Sequence, residues 1–445
     1  MILNKKEHGK KELSLFSGSI PLSREQNSLK NFFIYITMGG TFVSMVFIIL
    51  CLLFAFASLH SGSHGFDGLL GIFSDFVYIM NTSIEESPYL VEQSSYPPAA
   101  ILILFPFALI CKNRFVALSA EELTLEELTG KMLQTPEFWV SLLLFFFITT
   151  SLIVLLTIKK FAFDKQSAIG IGILIPVSAP FVFAIMRGNT IYFALIFLLA
   201  FLLLKDSKNV ILRELSYLFL ALSGSIKIYP LIFGVFLLSK KKIFASFRVA
   251  VYFFVILFTS FLCFEGGLGD FDIFVGNLGG FMSNDNRLIA GNNLSLSSII
   301  YRIFYIFSPS FADSSTVSII SLTLTLILFV VSASLAIIAR SDFSRYAIAT
   351  AVIVLVPSIS YFYVLIFTIL PAMEFIRNVE SFSTKKKILY KAIFAFIMFT
   401  PAFIPQYYII HSFAMIALLI CESKSVIKGE LIPFIKNRNK KTEIA

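Results

Sequence analysis

Long uninterrupted apolar runs constrain this chain more than any other feature. The first covers residues 32–59. Others follow at 97–111, 138–158, 168–186, 190–204, 210–224, 228–238, 244–264, 314–339, 345–358, 361–376, 388–404 and 407–420. A bilayer-spanning helix needs about 20 predominantly apolar residues, and only helices or closed barrels satisfy every backbone group there. The 445 residues are 57% hydrophobic and 14% charged, whereas about a quarter of a soluble domain is charged. The predicted fold is an all-α polytopic membrane protein. In a soluble chain the net charge of +9 would suggest nucleic acid. Here the excess Lys and Arg mark cytoplasmic helix ends, and no nucleic-acid partner is expected.

Charge sets the orientation. Residues 1–31 are basic, as are the stretches around Lys241 and Lys386 and the end of the chain from Lys424 to Lys441, so these are placed inside. Residues 60–96 carry Asp67, Asp75, Glu85, Glu86 and Glu92 and no Lys or Arg. Residues 265–292 carry Glu265, Asp270, Asp272 and Asp285 against Arg287 alone. Both stretches are placed outside. Two inner ends require an even number of crossings, so the expectation is about 12 spans, with short and broken helices. The domains read as a cytoplasmic tail over 1–31, one transmembrane domain over 32–422 with outer loops 60–96 and 265–312, and a basic cytoplasmic tail over 423–445. The run 32–59 reads as an uncleaved signal anchor. Prolines 176, 180, 230, 357, 371, 401 and 405 interrupt several segments, which is tolerated at membrane depth only where protein or a water-filled cavity satisfies the freed backbone.

Residues 115–134 read as an amphipathic surface helix, with capping boxes at Ser119/Glu122 and Thr124/Glu127. Cys51, Cys111, Cys263 and Cys421 all fall in or beside apolar runs and read as packing residues. His60 and His64 lack an obvious third ligand, so no metal is expected there. Asp270 and Asp272 in "GDFD" resemble a metal-binding pair, but on an outer loop they read as solvated carboxylates.

The outer loop 60–96 holds the main candidate for chemistry. Asp75 lies in the apolar and aromatic stretch "FSDFVYIM". A carboxylate near the bilayer is costly and is a functional candidate by default; such a group can take the proton of an acceptor hydroxyl. The plain alternative is a solvated loop residue.

The order of motifs carries a resemblance. Asp75-Phe76 with Tyr78, then Pro88-Tyr89, then Tyr96-Pro97-Pro98 opening the next span resembles the first outer loop of glycosyltransferases of the GT-C fold that use polyprenol-phosphate sugars. More narrowly, it resembles the mannosyltransferase-like family 87. Pro180 followed by Arg187-Gly188-Asn189 is similar to that family's proline and Gly-Gln or Gly-Asn step. Gly224, Lys227, Tyr229, Pro230 and Lys240–Lys242 are similar to its small residues, Lys, Pro and basic stop. "GNNLSLSS", with Asn292 and Asn293, is similar to its Asn-x-Ser segment. The resemblance runs over residues 30–310; Asn189 stands where Gln is commoner.

The resemblance implies a bacterial-type inner-membrane enzyme that moves a hexose from a polyprenyl-phosphate donor to a glycan or glycolipid acceptor on the outer face, with inversion and no cofactor. Asp75 would be the base. The departing lipid phosphate needs positive charge, and Arg187, Lys227 and Arg287 are the candidates to hold it. Arg187 and Lys227 stand at outer turns where the positive-inside rule disfavours them, although headgroup snorkelling would also place them there. Tyr78, Tyr89, Tyr96, Asn189, Tyr229, Asn292 and Asn293 are the candidates for sugar and acceptor binding. A lipid-linked glycan flippase would require ionisable residues in mid-helix, and the charges lie at segment ends. An O-antigen polymerase or ligase would carry Arg-rich outer loops, and these loops are acidic.

Overall fold

The computed structural model describes residues 21–36, 38, 72–118, 121, 123–282, 293–308, 315–399 and 408–433. Among them every regular element is a helix, and an isolated bridge joins Asn293 to Tyr361. Among the described residues five helices are long and apolar enough to cross a bilayer: Pro136–Lys160, Ile243–Phe261, Ser315–Ile338, Phe362–Ser381 and Ile409–Leu431. A sixth is obtained by joining Lys165–Val177 to Ala179–Arg187 across a 51° bend. This is fewer than the twelve expected, because several apolar segments are short or divided. Ile191–Leu204 has 14 residues. The segment at 228–238 is a 3₁₀ turn, Tyr229–Gly234, followed by four α-helical residues. The run at 97–111 is split between Pro98–Leu102 and Phe105–Leu118. Most of the run 32–59 lies outside the described residues, as do Asp67, His60 and His64.

The two acidic stretches that the charge pattern places outside are more ordered than their composition suggested. Residues 60–96 contain the helix Ser74–Ile84, and 265–312 contain Asp270–Met282 and Leu296–Phe307. Thr124 and Glu127 form the reciprocal capping box of the short helix Leu125–Met132; Ser119 and Glu122 are outside the described residues. Asp270 is not a solvated loop residue: it is buried in the first helical turn against Gly266, while Asp272 is exposed. The two carboxylates therefore occupy different environments. Cys111 is buried and Cys263 is exposed, so packing accounts for the first and not the second.

One large apolar core joins nearly every helix. At the end of the helix Asp342–Leu355 remote from Pro357, the buried Glu422 accepts hydrogen bonds from Tyr390 and Ser344. A buried carboxylate is tolerated where such donors surround it.

Candidate active site

Asp75 sits in the first turn of Ser74–Ile84, where a helix's partial positive end favours an anionic side chain. Its carboxylate is held at both oxygens. Arg187 Nη2 donates to Oδ1 in an ion pair, and Asn189 Nδ2 donates to Oδ2 at 2.8 Å.

Gly188, between those two partners, makes the arrangement possible. It ends Ala179–Arg187 in the left-handed region at φ 63°, a conformation glycine adopts without steric cost. It also packs directly on Phe76: a side-chain carbon there would lie 3.3 Å from Phe76 Cα and would collide with Phe76 Cβ. The backbone N–H of Phe73 donates to the Met186 carbonyl at 2.6 Å, closing the same junction. Asn189 is fixed a second time, since its Oδ1 accepts from the backbone of Ile191 at 3.0 Å and starts the next helix.

The carboxylate faces a cavity of about 790 Å³ lined by Asp75, Tyr78, Glu92, Gln93, Ser95, Tyr96, Leu125, Phe183, Arg187, Asn277, Tyr361 and Tyr363, with Gly276, Gly280 and Phe281. Ser95, Tyr96, Phe281, Tyr361 and Tyr363 also line a second cavity of about 290 Å³ that contains Lys227. That neck shares Ile228, Tyr229, Phe253, Met282 and Pro357 with a third, apolar cavity of about 690 Å³ between the segments 228–238, 246–254, 329–337 and 352–357. The polar chamber, the neck and the apolar groove thus adjoin in that order, each sharing lining residues with the next.

Lys227 caps the C-terminus of Val210–Ile226. Its ammonium lies 4.5 Å from the Tyr96 ring centroid and 5.9 Å from that of Tyr363, an aromatic cradle that suits a partly desolvated cation. Burial pushes its pKa down to about 8, with Asp75 opposing the shift. Burial and the charge of Asp75 raise the Tyr96 hydroxyl well above the usual tyrosine value, so it stays protonated.

The structure brings Asp75, Arg187, Asn189, Tyr78, Tyr96 and Lys227 to one place, and Tyr229 to the wall shared by neck and groove. Tyr89 lies elsewhere. It is fully buried among Phe261, Phe264 and Phe274, and its hydroxyl donates to the Tyr96 carbonyl at 3.2 Å. It braces the loop and offers no surface to a sugar. Asn293 is likewise buried: its amide donates to the Ser358 carbonyl at 3.1 Å and its oxygen accepts from Ser360 N at 3.0 Å. That clamp, with the bridge to Tyr361, positions the tyrosines of the chamber. Arg287 and Asn292 lie outside the described residues.

Sequence reasoning missed Tyr361, Tyr363, Glu92, Gln93 and Asn277 as lining residues. The tyrosines lie in an apolar segment that reads as a span; their only signal is the polar "SIS" that interrupts it.

The model of glycosyltransferase family 87 matches residues 95–368. The matched stretch contains Tyr96, Arg187, Asn189, Lys227, Tyr361 and Tyr363 and begins after Asp75. No curated protein and no solved structure matches the chain.

Proposed function

The chain belongs to glycosyltransferase family 87, and from that premise we propose that it transfers a hexose from a polyprenyl-phosphate donor to a glycan or glycolipid acceptor at the outer membrane face, within a GT-C architecture. The observation that carries the reading is that the Asp75 chamber, the Lys227 neck and the apolar groove adjoin in that order, each sharing lining residues with the next. A polyprenyl tail needs an apolar path, its phosphodiester needs a cation, and its sugar needs a polar chamber containing a base. The three cavities supply these in that order. A water-soluble nucleotide-sugar donor would leave the groove without purpose.

In this reading the tail lies along Val249, Phe253, Ala333 and Ile337, and Lys227 meets the phosphate as a point charge. The sugar sits against Tyr96, Tyr361 and Tyr363, whose rings suit stacking on its apolar face. Asp75, oriented by Asn189, takes the proton of the acceptor hydroxyl. That oxygen attacks the anomeric carbon as the bond to the phosphate oxygen breaks, and the lipid phosphate leaves with the electron pair. A single displacement inverts the anomeric centre. Arg187 pairs with Asp75 and lines the chamber, so its guanidinium can also stabilise charge developing on the leaving group.

The test is transfer from a synthetic polyprenyl-phosphate hexose. Asp75→Asn is expected to reduce turnover by about 100- to 10,000-fold with the fold retained. Ala333→Trp, which fills the groove, should raise the donor KM and leave nucleotide sugars unused, as in the unaltered protein. Transfer from a nucleotide sugar, or near-normal turnover by the Asn variant, would overturn the reading.

A further inference from the structure

Resting on that reading, we infer that Glu92 and Gln93 form the acceptor-recognising edge of the chamber, and that the acceptor presented there is an uncharged, hydroxyl-rich sugar. Glu92 is tied to the helix that carries the base. Tyr78, three residues beyond Asp75, donates its hydroxyl to the Glu92 carbonyl at 3.1 Å, and Asn81, three further on, donates its amide to Glu92 Oε1 at 3.2 Å. Six helical residues are about 9 Å of axial rise. The chamber therefore holds two carboxylates, Asp75 at the reacting end and Glu92 tied to the same helix nearly two turns further along. Asn81 occupies one oxygen of Glu92; the other has no partner among the described residues and is available to sugar hydroxyls.

Gln93 strengthens the case. Its backbone is held at φ 48°, a left-handed conformation for a residue other than glycine, which persists only where surrounding contacts enforce it and which concentrates at functional sites. The contacts are present: Ser94 N donates to the Pro88 carbonyl, Tyr89 donates to the Tyr96 carbonyl, and Asn277 donates to the carbonyls of Tyr89 and Ser94 at 2.9 and 3.4 Å. The strained residue and its neighbour both line the chamber. A carboxylate that accepts and an amide that both accepts and donates are suited to reading hydroxyl patterns.

Charge defines the acceptor class. Among the described lining residues of the chamber, Arg187 is the only cation, and it is engaged with Asp75. Lys227 belongs to the neck. A uronate or phosphorylated sugar at the Glu92 edge would meet a like charge with no described compensating cation, which disfavours it.

The experiment follows release of polyprenyl phosphate from short-chain polyprenyl-phosphate glucose and mannose, with octyl glucoside and octyl glucuronide as matched neutral and anionic acceptors. The unaltered protein should prefer the glucoside. Glu92→Gln should raise the acceptor KM by about tenfold, the scale of one hydrogen bond to a charged group, and narrow the preference, with donor KM and thermal unfolding unchanged. Gln93→Ala should raise the acceptor KM without altering the neutral-to-anionic ratio. Unchanged acceptor KM and ratio in Glu92→Gln, while donor turnover still depends on Asp75, would overturn this inference alone. An equal rise in donor KM, or a loss of thermal stability, would mark a structural role and also overturn it. Absence of Asp75-dependent turnover with either donor would overturn the proposed function and this inference with it.

Discussion

Replacing Gly188 with alanine tests whether the Arg-Gly-Asn turn builds the site. The added carbon faces two costs. At φ 63° an L-residue is strained by about 1–2 kcal/mol. The same carbon collides with Phe76 Cβ, and Phe76 cannot retreat, because it is fully buried with the rings of Phe145, Phe138 and Phe107 at 5.0, 6.0 and 6.5 Å. Overpacking of this kind costs about 1–3 kcal/mol. The total is about 2–5 kcal/mol if the turn stays in place. If the turn instead moves away by about 1 Å, Arg187 and Asn189 lose their grip on Asp75, and a misplacement of that size costs on the order of 100-fold in rate. Either way Gly188→Ala should be impaired in a paired assay of transfer rate and thermal unfolding in detergent. Gly429→Ala, whose new carbon meets open space, is the control and should change neither. A Gly188→Ala protein with both the rate and the unfolding midpoint of the unaltered chain would refute the argument.

In a double-mutant cycle, Arg187→Ala and Lys227→Ala should each weaken donor use by well over tenfold, since losing one partner of a buried charged contact costs about 2–5 kcal/mol. The double variant should lose less than the sum, because the two share one phosphate; strict additivity would separate them. The donor kcat/KM should fall as pH rises through about 8, where Lys227 gives up its proton, and Lys227→Arg should flatten that limb; a profile level to pH 9 in the unaltered protein would remove Lys227 from the phosphate. Because folded Lys227 titrates near 8 and the unfolded chain near 10.5, the unfolded state binds more protons between those values, and this residue makes stability rise with pH across that window. A cysteine at exposed Leu90 should react with an impermeant thiol reagent from outside and one at Ser383 should not; the reverse would place Asp75 on the cytoplasmic side.

The charged candidates named from the sequence share one property: each is a polar exception in an apolar setting. Asp75, Arg187 and Lys227 are charges where membrane rules disfavour them, and that signal needs no tertiary information. That Arg187 would pair with Asp75 was not legible, because the two are 112 positions apart and meet only through the packing of Gly188 on Phe76. Tyr89 shows the opposite failure. In an acidic loop a tyrosine reads as solvent-facing, yet three phenylalanines from later in the chain bury it. Tyr361 and Tyr363 were hidden because hydropathy cannot distinguish a ring facing a chamber from one facing lipid. The helices within both outer stretches were hidden for a related reason: their Gly and Ser content favours loops in isolation, and packing overrides such weak propensities.

The short and broken segments, which made the crossings hard to count, point at the site itself. A backbone group freed by a break is tolerated at membrane depth only where protein or a water-filled cavity meets it. The chain breaks at Ser178, where the 51° bend falls; at Gly188, beside Asp75; at Lys227, before the 3₁₀ turn at Tyr229; and after Leu355, before the 3₁₀ turn that begins at Phe362. Three of these four breaks border the chamber, the neck or the groove: Arg187 lines the first, Lys227 and Tyr229 the second, and Pro357 both the second and the third. Pro230 and Pro357 were visible in the sequence as interruptions of apolar runs. Segments too short to cross alone are thus where a chain of this kind can expose polar backbone and charged side chains together, and here they border Asp75, whose partners are an arginine and an asparagine on a glycine turn.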